Sequence, residues 1–109
     1  MNPLKKLFGM TTINYDELDS DLCRSMAKKE LPGEDEKLAK EMVALIKNAK
    51  KTGKPFESES YKKSRIIGNY LNENGGYRRM LLVARRVEVL SDELSYCEMF
   101  WNHIGEWMA

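Results

Sequence analysis

Residues 75–90 read Gly75-Gly76-Tyr77-Arg78-Arg79-Met80-Leu81-Leu82-Val83-Ala84-Arg85-Arg86-Val87-Glu88-Val89-Leu90. Met80, Val83, Ala84 and Val87 recur at spacings of three and four, the period of one helix face. Leu81, Leu82, Val89 and Leu90 widen that face well beyond a single stripe. A helix apolar over so much of its circumference needs neighbours on several sides. Residues 77–90 are therefore predicted to form the central helix of a bundle.

The flanks of this stretch supply the neighbours. Gly75-Gly76 ends a preceding helix that starts after Ser58 or Ser60 and runs to Asn74. Its apolar side carries Tyr61, Ile67, Gly68 and Leu71, broadened by Ile66 and Tyr70. A mid-helix glycine costs about 1 kcal/mol relative to alanine, so Gly68 points to close packing against another helix. On the other side, Ser91 reads as a cap and Asp92 and Glu93 as the first turn of a last helix. That helix carries Leu94, Cys97, Phe100, Trp101, Ile104 and Trp107, with Gly105 as an interruption. Such short joints imply hairpins between sequence neighbours.

Upstream, Lys54-Pro55-Phe56 is the best linker in the chain. Before it, Glu34, Asp35 and Glu36 open a helix whose stripe is Leu38, Met42, Leu45, Ile46 and Ala49. Lys47, Lys50, Lys51 and Gly53 close it. This acid-first, base-last order suits the helix dipole. Pro32-Gly33 separates it from a first helix, capped by Asn14 with Glu17 three residues on, whose stripe is Tyr15, Leu18, Leu22 and Met26. Leu4, Leu7 and Phe8 with Lys5 and Lys6 form a lead segment, read as a docked terminus in preference to a membrane foot. The prediction is an all-α, single-domain bundle of four to five helices over residues 1–109. It comprises the lead segment 1–13, an N-terminal helical hairpin at 14–53 and a C-terminal three-helix unit at 57–109.

Composition agrees with a globular protein. The 109 residues are 42% hydrophobic and 32% charged, with a formal net charge of +1. That balance excludes a surface tuned throughout to nucleic acid or an acidic membrane. No apolar run approaches the ~20 residues of a membrane span. Cys23 and Cys97 are too few and too far apart for a disulfide framework or a cysteine zinc site. Both read as buried reduced thiols, and a cytosolic, bacterial setting is the resulting expectation. A single histidine, His103, makes a metal site or a Ser-His-Asp triad a poor reading. His103 with Glu106 one turn on has no supporting partner, so no catalytic residue, metal or cofactor is expected.

Two constellations remain. Arg78, Arg79, Arg85 and Arg86 form doublets seven residues apart, which brings them back to one side of a helix after about 700° of rotation. This would make a four-guanidinium patch, extended by Lys62, Lys63 and Arg65 across the hairpin, for phosphate or nucleic acid. The plainer reading is a solvated face paired with Asp92, Glu93, Glu98 and Glu106 of the last helix. The second constellation is the aromatic C-terminus. Phe100, Trp101, Ile104 and Trp107, with Met99 and Met108, are either a core cap or an anchor surface for a partner.

Residues 65–107 also resemble a group of small uncharacterised bacterial helical proteins. The resemblance rests on Ile67-Gly68, Gly75-Gly76 and Met80, and on an ending like Trp-x-Gly-Ile-Gly-x-Trp, here Trp101 to Trp107. Asn102-His103 stand where Asp-Gly would be expected. The resemblance implies a compact helical unit with Gly68 and Gly105 at close contacts and Trp101 and Trp107 as anchors. It assigns no functional residue.

The functional expectation is a small cytosolic interaction or regulatory module, self-associating or bound to another protein through Phe100, Trp101, Ile104 and Trp107. The alternative is a nucleic-acid-associated protein using the arginine patch. No membrane partner is expected.

Overall fold

The computed structural model describes residues 13–108. The lead segment, Ile13 apart, lies outside them. Five α-helices follow in chain order: α1 (Ser20–Met26), α2 (Glu34–Lys51), α3 (Glu59–Glu73), α4 (Gly76–Ser91) and α5 (Leu94–Phe100). Single 3₁₀ turns precede α1 at Tyr15–Glu17 and α3 at Pro55–Glu57. The described residues contain no strand, and the chain is an all-α single-domain bundle.

α4 is the central helix, as its sequence predicts. It packs against α1, α2, α3 and α5. Its Met80, Val83, Ala84 and Val87 meet Ala39, Met42, Ile46 and Ala49 of α2, all fully buried in one core with Leu71, Cys97, Phe100 and Trp101. Burying one large apolar side chain contributes about 1.5–3 kcal/mol, so this core carries most of the favourable free energy.

Local signals set the ends of the helices. The Ser58 hydroxyl accepts from the Tyr61 amide (3.0 Å) and fixes the start of α3. Acidic Glu34, Asp35 and Glu36 open α2, and Lys50 and Lys51 close it. At the α4–α5 joint the outcome differs from the expected serine cap. Asp92 adopts the left-handed conformation (φ 60°) and ends α4, while Ser91 bonds back to the Val87 carbonyl. Two short-range signals thus compete at residues 91–93, and the αL stop prevails.

Two boundaries depart from the sequence reading. The first helix is not continuous. Asn14 caps only the 3₁₀ turn, Leu18 is extended, and Asp19 caps α1 through the Leu22 amide (2.8 Å). Nor does α1 form a hairpin with α2. It lies on α4, where Leu18, Cys23 and Leu31 enclose Leu82 in a second, smaller cluster. α2 instead joins α3 and α4, so residues 14–53 are no separate unit.

Gly68 has the close contact that its cost demanded. A Cβ there would lie 2.6 Å from Trp101 Cδ1 and 2.8 Å from Ile104 Cδ1. The Trp101 indole is held in that place because its Nε1 donates to the Ser64 carbonyl (2.9 Å) one turn earlier on α3.

Candidate functional site

The arginine stripe is the first place to look, and the fold divides it. Arg79 is buried and donates from Nε (2.9 Å) and Nη2 (2.7 Å) to Asp35 Oδ1, and from Nη2 to Glu34 (2.9 Å). Its Nη1 reaches the Asn74 carbonyl (2.8 Å). Tyr15 and Tyr70 lie at 5.1 and 5.3 Å from its guanidinium carbon, on rings that favour a cation. The Tyr15 hydroxyl donates to the other oxygen of Asp35 (2.7 Å), and the Tyr70 hydroxyl donates to Glu34. Burial opposes the charge on Arg79, but the carboxylates of Asp35 and Glu34 outweigh it and raise its pKa further.

Arg86 makes a parallel arrangement one face along. It donates to Glu36 from Nε (2.8 Å) and Nη2 (3.1 Å), and from Nη1 to the Ala27 carbonyl (3.1 Å). Glu36 also accepts from the Leu31 amide (2.9 Å). Arg78 donates to the Leu18 carbonyl. Arg85 pairs with Glu88 (3.3 Å), and its buried Nε has no acceptor. The four arginines therefore do not form one open anion patch. Arg79 and Arg86 answer the acidic first turn of α2, and Arg78 and Arg86 fasten residues 18–27 to the bundle. Of the acids expected to neutralise them, Glu93 pairs instead with Lys50 (3.1 Å). Arg65 does not join the stripe either, since its Nη1 bonds the carbonyls of Phe100 (2.8 Å) and Asn102 (3.0 Å).

The aromatic anchor surface is corrected more sharply. Phe100, Trp101, Ile104 and Trp107 are all buried. The periodicity of α5 suggested a helix running to residue 107, which would have left part of that set outside. The chain instead leaves the helix at Trp101. His103 (φ 69°) and Gly105 (φ 56°) turn it back, and the His103 amide donates to the Trp107 carbonyl (2.9 Å). Trp107 then lies edge-on to Trp101 at 5.4 Å, with its Nε1 on the Glu98 carbonyl (3.0 Å). A Cβ at residue 105 would lie 2.4 Å from Asn72 Oδ1, which adds a packing reason to the conformational one.

The thiols and the histidine were also chemical candidates. Burial pushes the Cys97 thiol well above its ordinary pKa, and burial followed by the Asp19 charge raises that of Cys23. Both are held in the protonated form, a poor nucleophile. His103 is exposed and lines a different cleft from Glu106, so the two are not brought together.

What the fold leaves on the surface lies beside the expected anchor. Phe56 (45% exposed) and Met99 (40% exposed) border a groove of about 520 Å³ that also includes Tyr61, Arg65, Asn102 and His103. The rings of Phe56 and Tyr61, with that of Tyr96, all meet the buried Phe100 edge-on, with centroids 5.1–5.9 Å apart. Phe56 sits in the linker before α3, so periodicity gave no signal for it. Its nearness to Met99 is a tertiary fact. No family model, curated protein or solved structure matches this chain.

Proposed function

We propose that this chain is a small cytosolic protein-interaction module, not an enzyme, and that it meets its partner through the Phe56–Met99 groove. The observation that carries this reading is the pair of half-exposed apolar side chains, Phe56 and Met99, in one groove with Tyr61, Arg65 and His103. Aromatic residues, methionine and arginine are the types enriched where proteins meet. A second copy of the chain is the simplest partner.

The test is capture from nuclease-treated extract with the intact chain and with Phe56→Glu/Met99→Glu. A protein retained by the intact chain and lost with the variant supports the reading. The same set retained by both overturns it.

A further inference from the structure

Residues 13–27 lie on α4 without joining the main core. Leu18 and Cys23, with Ile13, Tyr15 and Met26, pack instead with Leu31 and with Leu81 and Leu82 of α4 in the smaller cluster. The helix within this stretch, α1, has seven residues and rests on α4. A helix so short is marginal on its own. Two arginines hold the stretch by its main chain: Arg78 donates to the Leu18 carbonyl and Arg86 to the Ala27 carbonyl (3.1 Å). Tyr15 adds its bond to Asp35. Lifting the stretch leaves no arginine of α4 buried and alone, because Arg79 keeps Asp35, Arg85 keeps Glu88 and Arg86 keeps Glu36, while Arg78 is exposed. The exposed Lys28, Lys29 and Glu30 connect the stretch to the buried Leu31. One donor beside it stays unused. The buried Arg85 Nε has no acceptor among the described residues, and the charges of Arg78 and Arg85 act on the Cys23 thiol.

We propose that residues 13–27 are a releasable strap, hinged at residues 28–30, and that the face of α4 beneath it docks an acidic amphipathic segment of a partner protein. The strap is itself such a segment: Asp16, Glu17, Asp19 and Asp21 surround Leu18 and Leu22, and Arg24 is its one base. The face sets Arg78, Arg85 and Arg86 around Leu81 and Leu82 at helical spacings of three and four. Opposite charge orients the segment, and the buried apolar contact holds it. Two observations favour a peptide over a nucleic acid. Leu82 is enclosed by the apolar side chains of Leu18, Cys23 and Leu31, which no nucleotide offers. Arg78 and Arg86 bind main-chain carbonyls. The unused Arg85 donor offers an incoming carboxylate a bond that the strap does not make. Val89, four residues after Arg85, is half-exposed and gives that segment its first foothold.

The experiment first reads the two fully buried thiols, Cys23 under the strap and Cys97 in the main core. The intact chain is exposed to a thiol reagent under native conditions, and mass spectrometry follows each cysteine. Cys23 is expected to react roughly tenfold faster than Cys97 or more, because a strap opens below the free energy of global unfolding. Its rate should also rise less steeply with urea, because less surface is exposed. Cys23 reacting no faster than Cys97, or with the same urea dependence, overturns the strap. A fluorescein-labelled peptide of residues 13–27, with Cys23→Ser, is then titrated into the full chain carrying Leu18→Ala, whose own strap is weakened. Saturable, salt-sensitive binding is expected. Adding Arg78→Gln/Arg85→Gln should weaken it about tenfold, the scale of one charged hydrogen bond, with helical circular dichroism intact. No saturation up to millimolar peptide, the effective concentration of a short tether, overturns the docking site. So does binding unchanged by the two arginine substitutions, or tighter binding of a single-stranded DNA oligonucleotide. The Phe56–Met99 groove shares no residue with the strap or with α4, so Phe56→Glu/Met99→Glu leaves both readouts unchanged and either idea can fail without the other.

Discussion

The indole of Trp101 occupies the space that a side chain at Gly68 would need: a Cβ there would lie 2.6 Å from Trp101 Cδ1. The ring cannot retreat easily, because its Nε1 is bonded to the Ser64 carbonyl and it is fully buried. Gly68→Ala is therefore expected to destabilise the protein by about 1–3 kcal/mol through overpacking, although alanine is the better helix former by about 1 kcal/mol. Urea unfolding checks this. A more stable variant would mean that the contact is not tight.

Arg79 and Asp35 form the second test. Removing the arginine alone leaves Asp35, 1% exposed, as a buried charge without its guanidinium. Arg79→Met is expected to cost about 3–5 kcal/mol. Arg79→Met/Asp35→Leu should recover a large part of that loss, because neither charge is then buried alone. Chemical denaturation of the single and double variants completes the cycle.

Acid should weaken the same junction. The Tyr70 hydroxyl and then the Arg79 guanidinium hold Glu34 below its ordinary pKa. For Glu36, burial pushes upward, but the Arg86 hydrogen bonds and the Leu31 amide together bring it below the usual 4.5. A depressed folded pKa stabilises above the unfolded value and ceases to do so as pH falls through the folded one. Stability should therefore drop below pH 4.5, and Glu34→Gln/Glu36→Gln should flatten that limb in melts recorded against pH.

The alkaline side isolates one residue. Burial, and then the hydrogen bond to Asp35, raise Tyr15 far above its usual pKa of 10. A raised folded pKa favours the folded state fully below pH 10, and that stability is lost as pH rises beyond it. Tyr15→Phe should cost stability at neutral pH, where its bond to a charged acceptor is worth about 1.5–3 kcal/mol. Above pH 10 the difference from the intact chain should shrink. A constant difference across that window would sever Tyr15 from the arginine cluster.

These contacts also show where the sequence was legible. The bodies of α2, α3 and α4 were readable because caps, glycine stops and apolar spacing are local. Gly68 was readable as a close contact because a helix interior gives glycine no local advantage. The break at Leu18 was not, since it depends on Arg78 taking the Leu18 carbonyl from sixty residues away. The acidic start of α2 had a sufficient local explanation in the helix dipole, which concealed its second use as the partner of Arg79 and Arg86. The aromatic C-terminus was legible as a dense apolar set. Its complete burial depended on a reversal at His103, a residue type that enters the left-handed region more readily than most. The Phe56–Met99 groove had no sequence signal, because a linker phenylalanine carries no period.

The most direct test of the interaction surface is photo-crosslinking in living cells with a benzoylphenylalanine at position 56. The same group at Leu22, equally exposed at 43% against 45% but on α1, serves as the reference. The account expects a discrete adduct, to another protein or to a second copy of the chain, from position 56 and not from position 22. No adduct at 56, or the same adducts from both positions, would contradict it.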